Sequence, residues 1–386
     1  MAGEDAKPTG LEGLVAGATE ICKVEQEDLI YRGYSVGDLA ENATFEEVAF
    51  LLLNGHKPTA AELRHFKDEL TAERPLPAPV IDYIRSMSEP LRFGHATPMD
   101  VVRTSVSLLG NHDPESRHLE REAEQRKARR ILARIPTIIG HMQSVIDGRD
   151  LIQPETGGDH DLSHAANLLY LITGMKPPPD YARTMDVSLI LYAEHDFNAS
   201  TFTGRVIAST LSDLHGAVTG AIAALKGPLH GGANEAAMDM LRVIREHVER
   251  GGTVQDWMDR AFREKRKLMG FGHRVYKQGD HRAPILQKLG RALADAKGAE
   301  AVRWFEIAEE VERIMLEKKN IHPNVDFPCG LTYYTMGIPV PQYTPIFVAA
   351  RTAGWCAHIM EQHANNRLIR PLAEYTGPGP RKWSED

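Results

Sequence analysis

Two histidines of this chain sit between glycines: His230 in Gly227-Pro-Leu-His-Gly-Gly-Ala-Asn-Glu235 and His273 in Gly270-Phe-Gly-His-Arg274. Neighbours without side chains let a ligand approach both the backbone and the imidazole. Taken singly, each also reads as a histidine satisfied within a turn. Together with Asp326, in Pro323-Asn-Val-Asp-Phe-Pro328, they offer a carboxylate base and two imidazole donors. That is the minimum set for removing a proton beside a carbonyl and stabilising the enolate that results. Arg351 stands in the otherwise apolar and small-residue run Phe347-Val-Ala-Ala-Arg-Thr-Ala-Gly-Trp-Cys-Ala357. Buried there, its charge calls for an anion, because stranding one member of a buried ion pair costs roughly 3–5 kcal/mol. A structural Asp or Glu meets that need as well as a ligand does. His195 follows the apolar run Leu189-Ile-Leu-Tyr-Ala193 and reads either as a core histidine or as a ligand-facing one. Arg282 and Arg370 add guanidinium forks, the side chain best matched to carboxylates.

Helices must position these groups, since helix signals dominate. Thr44 and Glu47 form a Thr-x-x-Glu capping box, Phe45, Val48, Ala49 and Leu52 follow at helical spacing, and Gly55 closes the segment. Thr59 and Glu62 repeat the device, with Leu63, Phe66 and Leu70 facing inward. Trp304, Ile307, Ala308, Val311 and Met315 make a later stripe, flanked by glutamates and ending at Lys318 and Lys319. Strand-like alternation is confined to Leu29–Tyr34, so the architecture is mainly α. Charged residues 113–130 read as a solvated segment, Pro136 as a kink or helix start, and Pro177 to Pro179 as a surface corner. Gly227-Pro228 and the Pro-rich stretch from Pro323 to Pro345 bracket a block read as a second lobe. The expected division is a large domain of 1–228 and 331–386 and a small domain of 229–330. Ala217, Gly220, Ala221 and Ala224 give one helix a small-residue face, suited equally to packing within the chain or between subunits.

Composition narrows the function. With 386 residues, 42% hydrophobic and 25% charged, the chain resembles ordinary globular proteins rather than disordered or collagenous ones. The 45 Lys+Arg against 53 Asp+Glu leave a formal charge of −8, and no basic run is present, which argues against a nucleic-acid partner. Cys22, Cys329 and Cys356 form no C-x-x-C pair, favouring a reducing compartment over a disulfide framework or cysteine zinc site. Asp213 and His215 interrupt the apolar stretch from Val206 to Leu225, and the N-terminus has no apolar leader. A cytoplasmic location without membrane insertion is therefore expected. No G-x-S-x-G, Walker, G-x-G-x-x-G or H-E-x-x-H motif is present, which removes the usual support for serine hydrolases, P-loop NTPases, Rossmann dehydrogenases and zincins. His160 and His164, beside Asp159 and Asp161, have metal-ligand spacing but lack a third ligand and read rather as a solvated helix cap.

The combination Ala193-Glu-His-Asp-Phe-Asn-Ala-Ser-Thr-Phe202, Gly227-to-Glu235, Gly270-Phe-Gly-His-Arg-Val-Tyr-Lys277 with Asp280 and Arg282, and Pro323-Asn-Val-Asp-Phe327 resembles the citrate synthases. The likeness runs from Tyr31-Arg-Gly-Tyr34 to Tyr375-Thr-Gly-Pro378 and is to the shorter citrate synthase/2-methylcitrate synthase branch. It implies a mostly helical homodimer whose small domain closes over the substrates, and an acyltransferase of the citrate (Si)-synthase type. By the same resemblance, Asp326 takes a proton from acetyl-CoA, His230 steadies the enol and His273 polarises the ketone of oxaloacetate. His195, Arg282, Arg351 and a partner subunit's Arg370 hold carboxylates. The resemblance also places coenzyme A against Leu268, Met269, Gly270, Phe271 and Gly272, with Arg274 and Lys277 near its phosphates; no metal and no permanently bound cofactor are implied. One departure is His281, where the family usually has proline; it either faces solvent or adds charge near the carboxylates. Propionyl-CoA is the alternative substrate, and a noncatalytic binding protein of the same fold the alternative class.

Overall fold

The computed structural model describes residues 11, 13–156, 162–273 and 275–382. His160, Asp159, Asp161 and Arg274, together with the N-terminal MAGEDAKPT segment, lie outside them. Among the described residues there are seventeen α-helices and one small antiparallel sheet. Strands β1 (Cys22–Val24), β2 (Leu29–Tyr31) and β3 (Tyr34–Ser35) make a meander in which Cys22 faces Tyr31 and Ile30 faces Ser35.

The two capping boxes read from the sequence are formed. Thr44 and Glu47 close the start of helix Phe45–Asn54, which ends on Gly55 in the left-handed region, and Thr59 and Glu62 close the start of Ala60–Ala72. The Trp304 stripe is buried along helix Ala299–Lys319. At the centre, helix Tyr343–Ala364 is buried on nearly every side and packs against Arg121–Asp147, Pro179–Tyr192, Ala199–Ala208 and Leu214–Leu225. Ala217 and Ala221 of Leu214–Leu225 are fully buried, and that helix lies closely along Ala199–Ala208, so the small-residue face is used within the chain. Helices Ala233–Glu249, Val254–Arg263, Arg282–Lys297, Ala299–Lys319 and Asp326–Thr335 pack chiefly on one another. They meet the rest chiefly through Pro179–Tyr192, and also through Val36–Asn42, the 3-10 helix Val340–Gln342 and the central helix.

Three readings are corrected. Pro136 does not start a helix: Arg121–Asp147 runs through it, and Ile135, Thr137, Ile138 and Ile139 around it are all buried. That packing outweighs the loss of one backbone donor, about 3 kcal/mol in an isolated helix. The segment 113–130 is only partly solvated. Asp113, Glu124 and Lys127 are buried, and Arg130 makes paired 2.7 and 2.8 Å contacts to Asp113. Glu115 also takes Arg130, the Lys127 ammonium donates to the Ser116 and His118 carbonyls, and Glu124 meets His363 at 2.6 Å, so these charges find partners inside the fold. Finally, His164 is buried rather than a solvated cap, against the Phe45 ring at 5.2 Å. Burial holds its imidazole neutral, at about 3.

Candidate functional site

Helix Pro179–Tyr192 ends where its last carbonyls lose their intrahelical partners, and a helix C-terminus attracts cations. Two arginines use it. Arg351 Nε donates to the Tyr192 carbonyl at 2.7 Å, and Arg282 Nη1 donates to the Leu191 carbonyl at 3.3 Å. The Tyr31 hydroxyl, from β2, donates to the Glu194 carbonyl at 2.9 Å and fixes the chain just beyond the helix end. Gly354 of the central helix has no room for a side chain, since a Cβ there would overlap the Glu194 carboxylate and the Ala193 carbonyl. The turn that presents His195 is thus clamped from both sides.

The two arginines differ in their partners. Arg282 is locked to Asp280 by a bidentate pair, Nε to Oδ1 at 2.9 Å and Nη2 to Oδ2 at 2.8 Å, and Asp280 also accepts the Val325 N–H at 3.0 Å. The pairing outweighs burial and holds the Asp280 carboxyl well below its usual range. Arg351 ion-pairs with none of the described carboxylates. Its guanidinium lies over the Phe347 ring at 4.8 Å, and Glu194, the carboxylate contributing most to its electrostatics, is engaged by His358 at 2.8 Å.

The histidines are held as neutral donors. His230 Nε2 accepts the Ser200 backbone N–H at 3.3 Å and lies 2.9 Å from Ser200 Oγ. That N–H belongs to the first turn of helix Ala199–Ala208, where it has no intrahelical acceptor. Accepting on Nε2 puts the proton on Nδ1. His273 has the opposite arrangement: its Nδ1 accepts the N–H groups of Val275 at 3.1 Å and Tyr276 at 3.3 Å, so Nε2 carries the proton. Burial, then the charge of Arg351 for His230 and of Arg282 for His273, lowers each imidazole to about 4. His195 stands 5.1 Å from the His273 ring, and burial with the charges of Arg282 and Arg351 holds it well below the ordinary histidine range.

Asp326 opens helix Asp326–Thr335, and its Oδ1 accepts the Tyr192 hydroxyl at 2.6 Å. Burial raises its carboxyl above the usual value, against the lowering effects of the Tyr192 hydrogen bond and Arg282. Tyr192 meets Phe347 edge to face at 4.5 Å, and His230 meets the same ring at 6.4 Å, so one aromatic side chain links base, imidazole and Arg351.

The loop before His273 is stitched to the segment before Asp326. Asn324 N–H donates to the Gly270 carbonyl at 2.9 Å, Gly272 N–H to the His322 carbonyl at 2.9 Å, and Asn324 Nδ2 to the Gly272 carbonyl at 3.0 Å. Gly270 has φ +83°, and a Cβ there would come within 2.8 Å of Phe327 Cβ, so only glycine fits. Met269 lines a cavity of about 460 Å³ with Leu229, Gly232, Lys226 and Lys267, next to the His230 loop. Leu268, Phe271 and Gly272 lie along the same loop, and Lys277 is exposed beyond it, its Nζ donating to the His273 carbonyl. Arg370 is not brought to this site: it is exposed in the extended segment after the central helix. His281 bonds the Gln26 carbonyl at 2.7 Å and meets Tyr276 edge-on at 5.7 Å. Among the described residues no cluster of three or more His, Cys, Asp or Glu side chains is gathered as a metal site needs, and no helix is long and apolar enough to cross a membrane.

Reading residues alone missed Tyr192, Ser200 and Phe347. Tyr192 carried a usable signal, since a tyrosine inside a buried apolar helix must find a partner for its hydroxyl. Ser200 and Phe347 carried none, because serine at a helix start and phenylalanine in a core are ordinary.

Residues 10–372 match the family model described as "Citrate synthase, C-terminal domain". Citrate synthase 2 of Bacillus subtilis is 41% identical over 374 residues, covering 97% of each chain. The 2-methylcitrate synthase of Shewanella oneidensis is 44% identical over 375 residues, covering 97% of this chain and 96% of that one. Among solved structures, the Thermoplasma acidophilum citrate synthase in ternary complex with carboxymethyl coenzyme A and oxaloacetate has a TM-score of 0.88 at 34% identity, with 97% of each chain covered. The mainly helical architecture and these relatives together establish that the chain belongs to the citrate synthase family of acyltransferases.

Proposed function

We propose that the protein condenses acetyl-CoA with oxaloacetate and water to give citrate and CoA. Asp326 removes a proton from the carbon beside the thioester carbonyl, and the His230 Nδ1–H stabilises the enolate oxygen as charge develops there. The enolate carbon attacks the oxaloacetate ketone, whose oxygen is met by the His273 Nε2–H. Arg351 takes an oxaloacetate carboxylate, with His195 and the remaining N–H groups of Arg282 beside it. Water then hydrolyses the citryl-CoA thioester. The observation that carries this reading is a half-buried carboxylate base, joined through Tyr192 and Phe347 to a neutral imidazole donor and to an arginine without a carboxylate.

Coenzyme A follows the backbone of Leu268, Met269, Gly270, Phe271 and Gly272, with Arg274 and Lys277 toward its phosphates and the acyl arm passing Leu229. Residues 229–330 act as a small domain closing on the remainder; the mutual packing of their helices supports that division. A second copy of the chain completes each site with Arg370 of the partner subunit, in keeping with the exposed Leu368, Leu372 and Tyr375 on the segment that carries it. Three unpaired, buried cysteines suit a cytoplasmic setting.

A second reading, 2-methylcitrate synthesis from propionyl-CoA, is favoured by the 44% identity to the Shewanella protein. One methylene is worth only about 1–3 kcal/mol in a pocket, so the two substrates demand direct competition. Thiol release with oxaloacetate and each acyl-CoA in turn is the test. Faster release from acetyl-CoA is expected, a large preference for propionyl-CoA selects the second reading, and no release from either overturns both. Asp326→Ala should abolish turnover and leave oxaloacetate binding, measured by calorimetry, nearly intact.

A further inference from the structure

We infer that Tyr192 is the positioning residue of the base Asp326, and that it ties this base to the anion-holding Arg351. This rests on the assignment of Asp326 as the base. The Tyr192 hydroxyl holds Oδ1 at 2.6 Å, which fixes the plane of the carboxylate and leaves Oδ2 as the oxygen free to take the proton. The backbone carbonyl of the same residue takes Arg351 Nε at 2.7 Å. Tyr192 is buried, closes its helix and is braced edge to face on Phe347, so its ring has little freedom to turn away. The base and the arginine stand on different helices, Asp326–Thr335 and Tyr343–Ala364, and Tyr192 bonds both. Substrate carboxylate held by Arg351 is therefore registered against the base through one residue.

The hydrogen bond also sets base strength. A donor on Oδ1 favours the carboxylate form, opposing burial and the charge of Asp280, in the same direction as Arg282 and Arg351. Tyr192 touches no reacting atom in this scheme. It acts by holding the carboxylate, and a variant without the hydroxyl keeps the backbone carbonyl that serves Arg351.

Tyr192→Phe tests this, provided that the wild-type enzyme first releases CoA with oxaloacetate and an acyl-CoA; failure of that control is failure of the functional reading, not of this one. In the variant the acid limb of kcat should move up by about one pH unit, the effect of losing one hydrogen bond to a charged group. A kcat loss of roughly 10- to 100-fold at neutral pH should accompany it, with oxaloacetate KM changed less than about threefold, since misplacement of a reacting group acts on kcat. With acyl-CoA deuterated at the carbon beside the carbonyl, the isotope effect on CoA release should grow as proton removal becomes limiting. Site-specific 3-fluorotyrosine at 192, a stronger donor, should move the acid limb down, and it supplies a reading even if the phenylalanine variant folds poorly. An acid limb unmoved by either replacement overturns the inference, as does a Tyr192→Phe loss expressed only in oxaloacetate KM.

Discussion

Arg282 and Arg351 occupy the same helix end and are buried to nearly the same degree, 4% and 2% exposed, yet they are different devices. Arg282 opens its own helix and closes on Asp280, which in turn binds the N–H of Val325 just before the base. That pair is internally neutral, with guanidinium N–H groups of Arg282 to spare. Arg351 projects from the middle of the most buried helix and meets a carbonyl and a ring face but no carboxylate. Desolvation is its largest perturbation and depresses its pKa, the opposite of what Asp280 does for Arg282. A closed pair holds the architecture, whereas an open cation kept at desolvation cost is an invitation to a ligand anion.

The largest expected effect comes from opening the closed pair. Arg282→Leu strands the Asp280 carboxylate and should cost about 3–5 kcal/mol of unfolding free energy in urea titrations. Adding Asp280→Leu should recover part of it. Equal stability of wild type and the single variant would show that the pair holds nothing. The next largest is the converse. Arg351→Gln should weaken oxaloacetate binding by about 1.5–3 kcal/mol, roughly 10- to 150-fold, while unfolding free energy stays within about 1 kcal/mol of wild type. Loss of stability comparable to that of Arg282→Leu would erase the distinction. Thermal shift gives a third check: oxaloacetate at 100 times its dissociation constant should stabilise the wild type by about 2.7 kcal/mol. Under the same ligand concentration Arg351→Gln should keep only about 0.3–1.4 kcal/mol of it, according to how far in that range its affinity falls.

The distinction between the arginines was beyond the sequence, although much else was legible. The capping boxes at Thr44 and Thr59 and the Trp304 stripe depend on neighbours within two turns, and each formed as read. The family motifs brought His195, His230, His273, Arg282, Arg351 and Asp326 into one connected cluster. What local reading could not supply was partnership across long separations. The Glu124–His363 contact joins residues 239 positions apart, so a run of charges that looks solvated from its neighbours is half internal. At Pro136 the choice between a kink within a helix and a helix start stayed open for the same reason, because the packing that tolerates the proline comes from other helices. Tyr192 finds Asp326 from 134 positions away, and no spacing rule spans that distance.

The smallest expected effect probes the field between the two arginines. Burial lowers His195 first, and then the charges of Arg282, Arg351 and His273 add to it; His273 is held at about 4 by burial, Arg282 and Lys277, with Asp280 opposing. A dicarboxylate on Arg351 brings negative charge beside both rings and cancels part of the cationic field, so both imidazole pKa values must rise on binding. A group that binds protons more tightly in the complex takes them up as the complex forms, and affinity then increases as pH falls into the range where the raised groups titrate. Near pH 8 both rings stay neutral with or without ligand, and no uptake is expected. Near pH 5.5 a fraction of a proton per site should be absorbed, measured as a difference in calorimetric binding heat between buffers of unlike ionisation enthalpy. Proton release in that range would mean that the anion leaves the imidazoles in a more positive field than the empty site does, and would place its carboxylates away from Arg351.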